Sequence, residues 1–285
     1  MVLQLFKAAM PRARPAAAAL ARKTRQTDSA RDSPLFMVSV AKCFQVLEAL
    51  SAAGRPVALT ELAVLAVLDR SAVQRVTHTL HALGYLRQHP VTRAFTLSGR
   101  MLRFGHTLLA THRLREKASP HLEALNRKIG ETVNLAELEG PEIVYVARFP
   151  SLHAVSVDLH VGSRLPVYCS AAGRAILSKL DETEAMAMLA ALKRKPMTKR
   201  TVTDLRGLSE ALAKARELGY ALNDQEVFVG EVSIAAALIN RAGEPLGAVN
   251  IAVPSPRWSM AEVLRRLVPQ LLKTARDINR ELAAV

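Results

Sequence analysis

The chain has 285 residues, enough for two domains with separate cores, and half of its residues are apolar but only 4% are aromatic, so those cores must be aliphatic. Its formal net charge of +14 is concentrated at one end: residues 1–35 carry seven Lys/Arg against two acids, residues 36–105 eight against three, and the remainder twenty-four against twenty. That bias points to a polyanionic partner, and the absence of any 18-residue apolar run argues against a membrane span.

Residues 1–35, rich in Ala, Arg and Pro, are expected to form a disordered basic arm that either adds phosphate contacts or has no role. They lack the apolar stretch of a secretory signal. A compact domain is expected over 36–97. Val40, Phe44 and Leu47 mark the core stripe of a first helix, with Ser39 as its cap and Gly54-Arg55-Pro56 as its end. Thr60-Glu61-Leu62-Ala63 opens a second helix. Asp69 stands at the N-cap of a third, in which Val73, Val76, Leu80 and Leu83 recur at helical spacing. The opposite side carries Arg70, Ser71, Gln74, Arg75, Thr77 and His78, and no acid follows Asp69 until Glu116. Arg can donate twice to guanine, Gln can pair with adenine, and hydroxyl side chains can anchor phosphates, so this side suits the major groove, with Thr60 as a further contact. Gly84-Tyr85-Leu86 then leads into an alternating run with Arg87 and Arg93 on either side of Pro90, a two-stranded wing. An ordinary basic helical hairpin is the alternative. The ordered succession of stripe, turn, helix and wing favours a DNA reader.

Residues 98–117 read as a linker helix, and Met101, Leu102, Leu108 and Leu109 suggest burial against a partner subunit. From 118 to 285 the texture changes. Ala118, Leu122, Leu125 and Ile129 mark a helix stopped by Gly130, followed by strands at Thr132–Leu138, Ile143–Phe149 and Ala154–Leu159. Gly162 to Pro166 leads into a helix of small residues, Ala171–Leu180. Helices follow at Glu182–Ala191 and Leu205–Leu218, then a hairpin of Ser233–Asn240 and Leu246–Val253. The last element is a long helix, Ala261–Leu282, interrupted or kinked at Pro269. Strands flanked by helices predict an α+β domain around a mostly antiparallel sheet.

The motifs SVAKCFQVLEAL, LTELA, DRSAVQRVTHTLHALGY, VGSRLPVYCSAAGRAIL, GYALNDQEVFVGEVSIAA and GEPLGAVNIAVPSPR occur in this order, and together they resemble the IclR family of bacterial transcriptional regulators. The run VDLHVGSRLPVYCSAAGRAIL also resembles members that control aromatic-acid catabolism through the β-ketoadipate route. The resemblance implies a winged helix-turn-helix domain joined to a GAF-like effector-binding domain, assembled as a homodimer or dimer of dimers on double-stranded operator DNA. It also implies a small organic acid as effector, contacted by Cys169, Ala171 and Ala172, by Asn223 and Asp224, by Ser233 and by Asn250. Small residues and helix-start amides at 170–173 would make an anion cradle, and Ser and Asn would orient the ligand. Each also has a plainer reading, Asn223 and Asp224 as a turn and Ser233 as the opening of a strand.

Three positions depart from the family pattern. Val67 replaces a glycine before the third helix, where positive φ would cost a β-branched residue about 1–2 kcal/mol, so a remodelled turn is expected. Ala72 replaces a threonine early in that helix. Ala252 stands where a hydroxyl residue is usual.

An enzyme using Cys169 as nucleophile and His160 as base lacks an oxyanion loop, a triad spacing and any nucleotide-binding glycine pattern. No cofactor is expected, and the eight histidines, His78 and His81 included, show no metal-ligand spacing. The two cysteines, Cys43 and Cys169, suit a reducing cytoplasm. The remaining alternative is a DNA-binding dimer whose C-terminal domain only oligomerises.

Overall fold

The computed structural model describes residues 32–153 and 159–283. Residues 1–31 of the arm expected at 1–35, and nearly all of the strand expected at Ala154–Leu159, lie outside the described residues. The chain divides into two compact units between Thr111 and His112.

In the first unit, α1 (Val38–Ala53), α2 (Leu59–Leu65) and α3 (Arg70–Ala82) precede a two-stranded antiparallel ribbon of β1 (Leu86–Gln88) and β2 (Phe95–Leu97). Their core joins Val46, Leu50, Val57, Leu62, Val73, Val76, Leu80, Leu86 and Phe95. The first-helix stripe is therefore displaced from expectation. Val46 and Leu50 are buried, whereas Val40 and Phe44 are exposed and Leu47 is only partly covered. Ser39 lies inside α1, and Met37 is its N-cap without a side-chain bond. Leu83, expected in the α3 stripe, is also exposed, because the helix has ended by then. After the ribbon, one 3₁₀ turn (Gly99–Met101) leads into α4 (Leu102–Ala110), which buries none of its residues within the chain.

Val67 does take a left-handed conformation, with φ of 54°. The turn is not remodelled: the Val67 amide donates to the Val64 carbonyl at 3.1 Å and the Leu68 amide to the Ala63 carbonyl at 3.0 Å. These bonds hold a β-branched residue where glycine is the unstrained choice.

The second unit begins with α5 (Arg113–Ile129), closed by Gly130 in the left-handed region at φ of 71°. A six-stranded sheet follows, ordered β5-β4-β3-β8-β7-β6 with every neighbouring pair antiparallel. Its strands are β3 (Thr132–Glu139), β4 (Glu142–Phe149), β5 (Arg164–Pro166), β6 (Ala221–Asp224), β7 (Glu231–Ile239) and β8 (Pro245–Pro254). The two short edge strands, β5 and β6, were not expected. Each falls in a run too short for alternation to show, and Asn223 and Asp224 read as a turn.

Between β5 and β6 lie α6 (Ala171–Leu177), α7 (Glu182–Ala191) and α8 (Leu205–Leu218). They cover one face of the sheet over a core that includes Ala136, Tyr145, Ala235 and Ala248. The other face carries Val133, Leu135, Ile234 and Ile251 and packs α5 against the C-terminal helix. That helix is built from α9 (Met260–Glu262), a π-helical turn (Val263–Leu267) and α10 (Val268–Ala283). The π turn ends two residues before Pro269, whose missing N–H and bulky ring disrupt regular α-helical bonding in the preceding turn. The interruption is thus a widened turn.

Candidate nucleic-acid interface and ligand cavity

The start of α3 is fixed by Asp69, whose carboxylate accepts the Ala72 amide at 2.7 Å. That backbone bond, the largest influence, holds its carboxyl below the usual aspartate range. On the helix it opens, Arg70, Ser71, Gln74, Arg75 and His78 are exposed together, as is Thr60 on α2. Thr77 is not among them. It is 1% exposed, and its hydroxyl donates back to the Val73 carbonyl at 2.8 Å, so it cannot face a groove. Ala72 is buried as well, with only its amide engaged at the cap.

The ribbon is turned by Arg93, which takes φ of 58°, its amide donating to the His89 carbonyl and its carbonyl accepting from Gln88 Nε2. Arg87 and Arg93 are both exposed. Of the neighbouring acids, Glu61 pairs with Arg55 and Asp69 is committed to its cap, so the exposed α3 face and ribbon tip keep their positive charge.

In the second unit, sheet register gathers a polar row on the face that bears α6. Thr132, Ala252, Ser233 and Asn223 lie side by side across β3, β8, β7 and β6. Two residues along, Arg148, Asn134 and Asn250 do the same across β4, β3 and β8. Asn134 Nδ2 donates to Asn250 Oδ1 at 2.8 Å, and Arg148 Nη1 donates to Asn134 Oδ1 at 3.1 Å. Asn250 therefore acts at one remove, orienting Asn134, which steadies the arginine.

At the end of this row lies a cavity of about 180 Å³. Its lining comprises Glu131, Thr132, Arg148, Ser151, Val229, Gly230, Glu231, Ala252, Val253 and Pro254. Its two acids are held differently. Glu131 accepts from Trp258 Nε1 at 2.7 Å and from Arg257 Nη2 at 2.5 Å. The Trp258 ring is in turn covered by the Arg266 guanidinium, 4.9 Å from its centroid. Burial pushes the Glu231 carboxyl up to about 7, against the opposing pull of Arg148.

The expected ligand residues fall mostly behind this cavity. Cys169, just before α6, and Ala171 and Ala172 in its first turn are packed into the aliphatic core. The cradle expected at 170–173 is closed by its own chain: Ser170 Oγ accepts the Gly173 amide at 3.2 Å, and a Cβ at Gly173 would stand 2.3 Å from the Val167 carbonyl. Asn223 is spent on the backbone, donating to the Cys169 carbonyl at 2.9 Å and accepting the Glu226 amide at 2.8 Å. Asp224 pairs with Arg200 on the surface. Ser233 is buried one register row from Glu231. Burial pushes the Cys169 thiol up to about 12, which makes it a poor nucleophile at neutral pH. Sequence reasoning missed Arg148, Ser151, Val229 and Glu231. The available signal was parity, since Arg148 and Glu231 are charged residues at strand positions that face covering helices.

Comparison with known proteins bears on both units. The family described as the IclR helix-turn-helix domain matches residues 39–90, and the family described as bacterial transcriptional regulator IclR C-terminal matches residues 106–280. The Pca regulon regulatory protein of Pseudomonas putida is 33% identical over 276 residues, 95% of this chain and 94% of its own. A transcriptional regulator from Rhodococcus sp. RHA1 superposes with a TM-score of 0.76 at 34% identity, over 87% of this chain and 98% of that one. An IclR homologue from Microbacterium hydrocarbonoxydans, crystallised with 4-hydroxybenzoate, shares the fold with a TM-score of 0.73 at 24% identity, over 87% and 100% of the two chains.

Proposed function

Because the chain belongs to the IclR family of bacterial transcriptional regulators, we propose that this DNA-binding regulator responds to a small aromatic acid held in the cavity beside Arg148. Arg70, Gln74 and Arg75 read base edges, with Ser71, His78 and Thr60 beside them, and Arg87 and Arg93 hold phosphates from the ribbon. The observation that carries the ligand half is the cavity itself, a concave space with a cation steadied by two buried asparagines. The names of the Pseudomonas putida and Microbacterium relatives support an aromatic acid over other anions. Ser233 and Asn250 then serve the pocket from behind its wall, and Cys169, Ala171, Ala172, Asn223 and Asp224 hold its frame.

Ligand binding alters DNA affinity only to the extent that the ligand prefers one arrangement of the protein. The test uses duplexes selected by the full chain from a random pool, with anisotropy read at fixed salt, with and without a panel of hydroxybenzoates and dihydroxybenzoates. A change in duplex affinity with at least one acid is expected. Unchanged affinity with every acid, together with no calorimetric heat, overturns the ligand reading and leaves the DNA reading intact.

A further inference from the structure

The end of α3 is held by two sets of bonds. The first is its own: the Leu83 amide donates to the Thr79 carbonyl, the Gly84 amide to His81 and the Tyr85 amide to Leu80, with Gly84 left-handed at φ of 78°. Those bonds close the helix without help from any other element. The second set reaches across from the far end of the ribbon. The three consecutive carbonyls of Leu83, Gly84 and Tyr85 accept, in turn, from Arg100 Nη1 at 2.5 Å, Ser98 Oγ at 2.6 Å and the Ser98 amide at 2.9 Å. The last of these continues the ribbon ladder, whereas the first two come from side chains and add nothing to the ribbon. The Arg100 guanidinium also lies over the Tyr85 ring, 4.9 Å from its centroid, and so near Gly84 that a Cβ there would stand 3.4 Å from Nη1. The Tyr85 ring in turn stacks on Phe104, with centroids 6.0 Å apart.

These contacts join α3 to α4, which begins two residues after Arg100 and buries none of its nine residues within the chain. A helix of that length is marginal alone, and burial does not fix its direction. The Arg100 bond and stack and the Phe104 ring supply what burial does not. All of them lie within one compact unit, so α3 and α4 are one body, joined at the end of α3 and bypassing the tip of the ribbon. Arginine suits the joint because its planar fork can donate to a carbonyl while its face rests on a ring, and a cation is favoured at the carbonyl end of a helix.

Resting on the readings that α3 enters the groove and that α4 pairs with a second copy, we infer that Arg100 is a positioning residue for operator recognition. It sets the angle between the helix that reads DNA and the helix that meets its mate, and thereby the separation and phase of the two half-sites. One inserted base pair moves a half-site by about 3.4 Å along the duplex and turns it by roughly 35°. A stiff joint cannot follow that change, whereas a loose one can.

The test measures anisotropy at fixed salt on a duplex selected by the full chain from a random pool, on the same duplex with one base pair added or removed between its half-sites, and on a single half-site. Wild type is expected to bind the selected spacing about tenfold or more tightly than either altered one. In Arg100→Ala that ratio should fall below about threefold, with Arg100→Lys between the two because it keeps a donor but loses the stacked fork. The lost charge weakens all duplexes alike and cancels from the ratio. A merely structural role would lower half-site affinity and leave the ratio in place. Ser98→Ala removes the Gly84 bond alone and should lower the ratio partway. A wild type indifferent to spacing, or discrimination undiminished in Arg100→Ala, overturns the assignment; if that variant does not fold, an undiminished ratio in Ser98→Ala overturns it instead. A monomeric wild type, or selected duplexes with an unrepeated half-site, also overturns it and leaves the reading of α3 intact. No duplex preferred over random sequence by wild type takes both down together.

Discussion

At the scale of single residues, two strained or desolvated positions make opposite demands. Val67 is 86% exposed and left-handed, so its side chain contributes little burial while its backbone carries strain. Glycine there relieves about 1–2 kcal/mol of strain, offset in part by about 0.5–1 kcal/mol of added chain entropy in the unfolded state. Val67→Gly is therefore expected to raise the stability of the first unit by up to about 1 kcal/mol, read as a higher urea midpoint at unchanged slope; a lower midpoint would mean that the valine makes contacts worth more than its strain. Glu231 behaves differently because its cost depends on pH. Its folded carboxyl titrates near 7 against an ordinary 4.5, so between those values the folded state keeps a proton that the unfolded state has released. Stability at this site is consequently lost as pH rises from about 4.5 to about 7, by at most about 3 kcal/mol. Glu231→Gln should abolish that loss. The gap in melting temperature between variant and wild type should move in the variant's favour from pH 4.5 to pH 8, and a gap independent of pH would place the carboxyl in an ordinary solvated state.

At the scale of elements, α3 shows how far helical periodicity reaches. Val73, Val76 and Leu80 lie where their spacing puts them, and Asp69 caps as its position demands. Thr77 follows Val76 into the interior because the buried side of a helix is a broad stripe, wider than the three residues that define it, and a hydroxyl that can bond to the preceding turn loses little by being there. Gln74→Ala should therefore cost about 1–3 kcal/mol and relax base preference at one position, whereas Thr77→Val should leave sequence preference unchanged, both measured by competition among duplexes. The reverse result would mean that the helix presents another face to DNA. In α1 the periodicity was ambiguous, since apolar residues stand on both sides and only the packing of α2, α3 and β2 selects Val46 and Leu50. The strands at 132, 142, 231 and 245 were legible because each is long enough to show its pattern. The cavity was legible only in its neighbourhood. Asn250 was named for the right strand face, but its partner Asn134 and the arginine they serve are 116 and 102 residues away in sequence, and no local pattern links them.

At the scale of the whole molecule, the apolar side chains left uncovered in α4 form a surface that a second copy would bury. Leu102, Phe104 and Leu108 are all more than half exposed within one chain. Sedimentation of the free protein at micromolar concentration should show a dimer or larger, and Phe104→Glu with Leu108→Glu should reduce it to a monomer; a monomeric wild type would leave this surface without a partner copy. The pairing of Trp258 with Glu131 has a different kind of consequence. The chain has a single tryptophan, and its indole N–H is bonded to an acid in the cavity wall while a guanidinium lies over its ring. The protein thus carries one indole fluorophore, excitable apart from its tyrosines and hydrogen-bonded to a residue that lines the proposed ligand space. Its emission should shift in intensity or wavelength as an acid fills the cavity, with the same midpoint as calorimetry, and an emission unmoved by a calorimetrically bound acid would put that acid elsewhere. Without a dye or label, occupancy could be followed by light in a stopped-flow cell, separating the moment the ligand arrives from any later change in DNA binding.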